Sequence, residues 1–195
     1  MTDNIYQAPE AVLEREEETV EQEFYVVSGT KFLVLMIGTF GLYEVYWFYR
    51  HWKNYSVCHN ESMWPVMRAI FSVFFAHSLS SRIDASLKAA DKQYRWSPKL
   101  LATVFVVFTV VGQIADRISG STSELSAVDL VSLGAFPAIV WCLYRIQVAA
   151  NIACDDPQAD SNTTFTPANY AWLALGVAIW GLIIFGFYAA YSGVV

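Results

Sequence analysis

Residues 166–191 read TPANYAWLALGVAIWGLIIFGFYAAY, and no Asp, Glu, Lys or Arg occurs between Asp160 and the C-terminus. A helix needs about 20 consecutive apolar residues to cross the roughly 30 Å of hydrocarbon in a bilayer. Tyr170 to Tyr191 meets that requirement, and Thr166-Pro167 supplies a cap and a first-turn proline. Working outward, the same signature recurs. Leu100 to Ala115 is uncharged and rich in Val and Phe, opens behind Ser97-Pro98 and closes on Asp116-Arg117. Between Leu130 and Cys154 the only charge is Arg145, and Pro137 frees the carbonyl of Leu133, which predicts a kink beside Gly134. Phe32 to Tyr49 is interrupted only by Glu44 and ends among Tyr43, Tyr46, Trp47, Phe48 and Tyr49, followed by Arg50 and Lys53. Rings followed by cations mark a helix leaving the hydrocarbon. Four segments are therefore expected to span.

The whole composition agrees. Of 195 residues 55% are hydrophobic, 16% aromatic and only 15% charged, against about 25% charged in soluble domains. Disorder, collagen and a disulfide scaffold are excluded, and 12 Lys+Arg against 18 Asp+Glu argues against a nucleic-acid partner. Charge is concentrated at the start: residues 1–30 carry eight acids against Arg15 alone, a net −7, whereas the whole chain is −6. That run is expected to be a disordered acidic tail ahead of a membrane bundle over 31–195, with helices near 31–52, 65–90, 98–117, 127–152 and 167–192. An acidic start with no positive n-region predicts no signal peptide. Cys58, Cys142 and Cys154 are odd in number and form no CxxC pair, which predicts reduced thiols.

Pro65 to Ser81 is ambiguous. Val66, Met67, Ile70, Phe71, Phe74 and Phe75 fill half of a helical wheel, and Arg68, Ala69, Ser72 and Ala76 the other half. This suits a helix lying in the interface and equally a spanning helix with a small-residue packing face. Arg82, Lys88, Lys92, Arg95 and Lys99 against a loop 118–127 without Lys or Arg put 82–99 inside and 118–127 outside. The C-terminus is then outside. Five spans place the tail inside and four place it outside; the expectation is five. The fold class is thus an all-α polytopic bundle, four clear transmembrane helices plus a fifth, 65–81, spanning or interfacial.

Phe24-Tyr25-Val26-Val27-Ser28 with Lys31-Phe32, then Gly41-Leu42-Tyr43, Tyr46-Trp47-Phe48-Tyr49 and Trp52-Lys53, followed by Pro65, Arg68, Ala69, Phe71, Phe74 and Phe75, resembles a group of small bacterial multi-pass inner-membrane proteins of unknown function. Asn4-Ile5-Tyr6-Gln7-Ala8-Pro9 is similar to the N-terminal tails of many such proteins. The resemblance covers roughly residues 4–83. It implies a bacterial cytoplasmic membrane and an intracellular tail, and supplies no reaction, ligand or catalytic residue.

Charges at membrane depth are the candidate sites. A carboxylate at the bilayer centre costs on the order of 2.5–3.5 kcal/mol on insertion scales, so it is paired, protonated or faces water. Glu44 and Arg68 approach the same face of the membrane, and an ion pair between them is expected, with Tyr43 or Tyr46 hydroxyls as further partners. Its role is either helix packing or a proton or solute relay. Asp129 is expected to meet water or Arg117, and Arg145, after Tyr144, to snorkel to the inner interface. Trp47 to Arg50 and Trp141 to Arg145 are two aromatic-to-basic ends, better explained by interfacial anchoring than by an internal repeat. His51, Cys58 and His59 match no standard metal spacing, and Asp155, Asp156 and Asp160 lack the Gly and closing Glu of a calcium loop. Gly134–Ala138, Gly186–Ala190 and Ala189–Gly193 are small pairs suited to close helix contact. With no Walker loop, nucleophile elbow, HExxH or Rossmann pattern, no catalytic, cofactor or metal site is expected. The leading expectation is a non-enzymatic inner-membrane protein acting on a protein partner, a second copy or lipid. The alternative is a small transporter or channel subunit using Glu44 and Arg68.

Overall fold

The computed structural model describes residues 22–119 and 127–192. Its helices are α1 Gly29–Gly38, α2 Tyr43–Cys58, α3 Pro65–Ile70, α4 Ser72–Ala89, α5 Pro98–Ser119, α6 Ala127–Ala153 and α7 Pro167–Ser192. Three of them are long and apolar enough to cross a membrane, within α5, α6 and α7. The first apolar stretch is not a fourth.

That stretch breaks at Thr39–Leu42. Thr39 follows the last turn of α1, Phe40 takes a left-handed φ of 49° and Gly41 a φ of 85°. The Gly41 N–H donates to Met36 O at 2.9 Å and Phe40 N–H to Ile37 O at 3.1 Å, which caps the orphan carbonyls of α1. A left-handed phenylalanine is strained at about 1 kcal/mol or more. Its ring offsets this, stacked on Phe136 at 4.9 Å and edge-on to Trp180 at 5.2 Å. The Trp180 indole also donates to Ile37 O at 2.8 Å. The Thr39 hydroxyl gives to Leu35 O at 2.7 Å and accepts from Tyr43 N–H at 3.0 Å, so it joins both helices.

After the break the chain turns back. Phe32 packs on Tyr43 and Trp47, Phe24 on Tyr55, and Glu23 reaches His59. Earlier residues meet later ones in reverse order, so α1 and α2 are an antiparallel hairpin. Ten residues of α1 rise about 15 Å, half of a bilayer core of roughly 30 Å.

The ambiguous 65–81 segment is not among the helices long and apolar enough to cross. It breaks at Phe71, whose ψ is 39°. Ser72 meets Glu44, Phe75 packs on Trp52, Arg82 covers Tyr55, and Ser86 meets Glu23. This order brings α4 back down beside α2, so α3 and α4 form a second hairpin.

The open ends of both hairpins lie at one end of the bundle, here called basal. Residues 22–28, 59–64, 90–97 and 154–166 gather there: Ser28 N–H bonds Asn162 O, and the Lys92 ammonium bonds Ala153 O at 2.7 Å and Asp155 at 2.9 Å. From it α5 rises, α6 returns packed along α5, and α7 rises against α1. The end of the expected tail is part of the core, because Phe24 and Val27 are fully buried. The earlier residues of that tail, 1–21, and most of the outer loop lie outside the described residues.

α1 and α7 touch backbone to backbone. A Cβ at Gly176 would sit 1.9 Å from Gly38 O, whereas nothing lies within 4 Å of one at Gly134, Gly181 or Gly186. The expected small-residue contacts at Gly134 and Gly186 are therefore not made among the described residues, and Gly176 makes the one that counts.

Gly176→Leu should lower the thermal midpoint of the detergent-solubilised protein and its abundance, at a cost of about 1–3 kcal/mol or more. Gly186→Leu should change neither, and fluorescence-detected size exclusion reads both. With Cys142 and Cys154 replaced by alanine, native Cys58 should react with an impermeant maleimide from the same side as single cysteines from Gln22→Cys and Gln93→Cys made with Cys58 replaced as well. A spanning first helix would separate residue 22 from residue 58.

Candidate functional site

Two polar regions are built into the bundle, one structural and one at mid-depth. The structural one holds residues 24–27, which run through the interior outside any helix and, among the described residues, beside no strand. Buried peptide groups require partners, and α6 provides them from Gln147 and Asn151, one turn apart. The Gln147 amide donates to Tyr25 O at 2.9 Å and to Asn151 Oδ1 at 2.6 Å. The Asn151 amide donates to Val27 O at 3.0 Å and accepts from Val27 N–H at 3.4 Å. Asn162 donates to Val26 O at 2.8 Å, and the Lys31 ammonium bonds Asn162 Oδ1 and Thr164 O, both at 2.6 Å. Gln147 Oε1 accepts from the Trp47 indole and faces His51 Nε2 at 3.3 Å. None of these amides stood out in the sequence. Their signal was Gln147 and Asn151 at i, i+4 in an otherwise apolar helix, which places two amides on one face.

The mid-depth region is where the two hairpin tips meet. Glu44 is in the first turn of α2 and Ser72 opens α4, and the Ser72 hydroxyl donates to Glu44 Oε1 at 3.0 Å. Two helix N-termini, the positive ends of their dipoles, thus face one carboxylate. A cavity of about 380 Å³ opens beside it, lined by Glu44, Ser72, Thr109 and Gln113 together with apolar side chains that include Met36, Phe40 and Phe136. The Thr109 hydroxyl is buried without a hydrogen-bond partner among the described residues. Thr109 and Gln113 lie about 17–23 Å along α5 from Pro98, at 1.5 Å per residue, which puts the carboxylate beside the middle to outer third of that apolar helix.

The ion pair expected between Glu44 and Arg68 is not made among the described residues. Arg68 stacks on Trp52 at 4.4 Å and Phe75 at 5.1 Å, nearer the basal surface. The break at Phe40 lowers Glu44 to the hairpin tip, and its partner is the Ser72 hydroxyl. Tyr43, the expected further partner, turns away to the Tyr25 hydroxyl at 3.2 Å. Arg145 lies at the basal end, donating to the Tyr94 hydroxyl at 2.9 Å and Arg95 O at 3.1 Å, over the rings of Tyr94 and Trp141. Asp129 is in the first turn of α6 at the opposite end.

The remaining candidates diverge. His51 is buried against Gln147, His59 pairs with Glu23 at 2.8 Å, and Cys58 is exposed. Asp155 pairs with Lys92, while Asp156 accepts from the N–H groups of Asp160 and Ser161 at 2.8 and 3.0 Å. The Ser161 hydroxyl, then these amides, hold the Asp156 carboxyl below its ordinary range. Among the described residues no group of His, Cys, Asp and Glu could hold a metal.

No protein-family model matches the chain, and no curated protein or solved structure matches it either. Function therefore has to be argued from the site.

Asn151→Leu keeps the bulk of the side chain and leaves the Val27 peptide unpaired. It should destabilise the protein by about 1–3 kcal/mol, the cost of an unsatisfied buried polar group. The check is thermal melting in detergent, with faster hydrogen exchange at residues 24–28 than in the parent.

Proposed function

We propose that the protein is a small, non-enzymatic transporter or channel subunit that passes protons or another small cation at Glu44. The observation carrying this reading is the mid-depth carboxylate beside a cavity, held at the meeting point of two hairpins. Non-helical backbone at membrane depth is tolerated only inside protein or along a water-filled cavity. Broken helices ending near the midplane are a recurrent way of building transport sites. An ionisable group at that depth is costly unless it has a task or a partner, and here its bond is to a neutral hydroxyl. Ser72, Thr109 and Gln113 add oxygen acceptors of the kind a small hydrated cation or a proton-carrying water chain requires.

Orientation supports a bacterial inner-membrane reading with the basal side in the cytoplasm. Among the described residues every Lys and Arg except Arg117 lies in the basal half, a stronger bias than either spanning scheme allows. The C-terminus is then periplasmic. A second reading, an interaction protein that binds a partner or another copy, is favoured by α7. That helix packs chiefly on α1 and leaves Leu182, Ile184, Phe185 and Tyr188 each more than 60% exposed.

Glu44→Gln separates the two. Transport through Glu44 predicts normal abundance with proton or cation flux into proteoliposomes lost by at least about tenfold, read with a pH-sensitive or cation-sensitive dye. Reduced abundance with no flux in the parent protein would return Glu44 to a packing role and leave α7 as the working surface.

A further inference from the structure

The outer face of the second hairpin carries a charge arrangement that packing does not account for. Arg68 and Arg82 lie on the same aromatic platform: Arg68 is 4.4 Å from the Trp52 ring, and Arg82 is 4.3 Å from Tyr55 and 5.8 Å from Trp52. One carboxylate serves both. Glu61 takes Arg82 through both its oxygens at 3.2 Å, and Arg68 meets no acceptor among the described residues. The guanidiniums are close enough that the Arg82 charge adds to burial in disfavouring that of Arg68. The indole they cover is fully buried, and its N–H has no hydrogen-bond partner among the described residues. Two neighbouring cations sharing one partly exposed acid leave an uncompensated positive charge.

The same hairpin turns large apolar side chains outward. Trp64 is 76% and Phe74 77% exposed, and Met67, Ile70 and Phe71 lie between them with more than 40% each exposed. These residues run from the loop before α3 to the first turn of α4, and Arg68 lies in α3 between them, over Trp52 and Phe75. Charge at headgroup depth, an indole at the interface and an apolar face leading inward match the three chemical zones of a phospholipid leaflet. Planar guanidiniums bind phosphate oxygens in pairs, which a lysine does not do.

We propose that Arg68 and Arg82, stacked on Trp52 and Tyr55 at the basal end of this face, hold the phosphodiester of an anionic phospholipid whose chains lie along Met67, Ile70, Phe71 and Phe74. The site stands on the outside of α3 and α4 and does not depend on transport at Glu44.

The test uses the full chain in neutral detergent, titrated with phosphatidylglycerol, phosphatidylcholine or inorganic phosphate and read by native mass spectrometry and thermal shift. The parent should prefer phosphatidylglycerol over phosphatidylcholine by about tenfold or more. Arg68→Gln with Arg82→Gln should abolish that preference. Lys88→Gln with Lys99→Gln, an equal loss of charge on the same side, should keep it. If the glutamine pair does not fold, Arg68→Lys with Arg82→Lys retains the charge and should still lose most of the preference. No preference in the parent, an equal loss in the Lys88 and Lys99 variant, or full retention by the lysine pair would each overturn the site. Saturation by inorganic phosphate alone, displacing the lipid at matching concentration, would overturn the lipid as its occupant.

Discussion

Backbone that is not helical cannot sit in an apolar interior unless each N–H and C=O finds a partner, and this bundle contains three such stretches. Polar side chains and short backbone bonds share that work. Residues 24–27 are held by Gln147, Asn151 and Asn162 from elsewhere in the chain. The tip of the first hairpin is held by its own Thr39 and backbone turns and by the distant Trp180 indole. At the second tip, Phe71 N–H reaches Met67 O, and the Ser72 hydroxyl ties the tip to Glu44. Amides and hydroxyls thus supply, with these turns, part of what a helix does for itself.

The mid-depth site is a consequence of those departures. A helix running uninterrupted from residue 31 to 52 would present Glu44 on its flank, where the carboxylate would need a counter-charge. The turn at Phe40 instead makes Glu44 a first-turn residue of α2, where the helix dipole favours an anion. The second turn brings another N-terminus to the same place. Arg68 does not pair with it and sits instead over the Trp52 and Phe75 rings.

The breaks had unequal signatures. Helix ends at Asn60, Asp91 and Asp155 use a left-handed residue after the last turn, and Asn and Asp are the side chains that tolerate it, so those ends are visible in the sequence. Phe40 does the same job and is invisible, because a phenylalanine in an apolar run signals continuation. Gly38 and Gly41 on either side were the available hint; glycine-interrupted apolar segments are a mark of broken membrane helices. Glu44 was legible as a site because charge at depth stands out against an apolar background. Its partner was not, since opposite charge at similar depth made Arg68 the obvious choice and Ser72 one serine among several.

Hydropathy and capping residues alone determined that the chain is an all-helical protein with apolar segments, α5, α6 and α7 among them long enough to cross a membrane. That follows from what solvent each segment must meet, a property of the segment itself. Tertiary structure decided that the first apolar segment and the 65–81 segment break and fold back. That choice rests on Phe40 meeting Phe136 and Trp180, on Gly38 meeting Gly176, and on Glu44 meeting Ser72. These contacts join residues far apart in the chain, and no local window of sequence contains both halves of any of them.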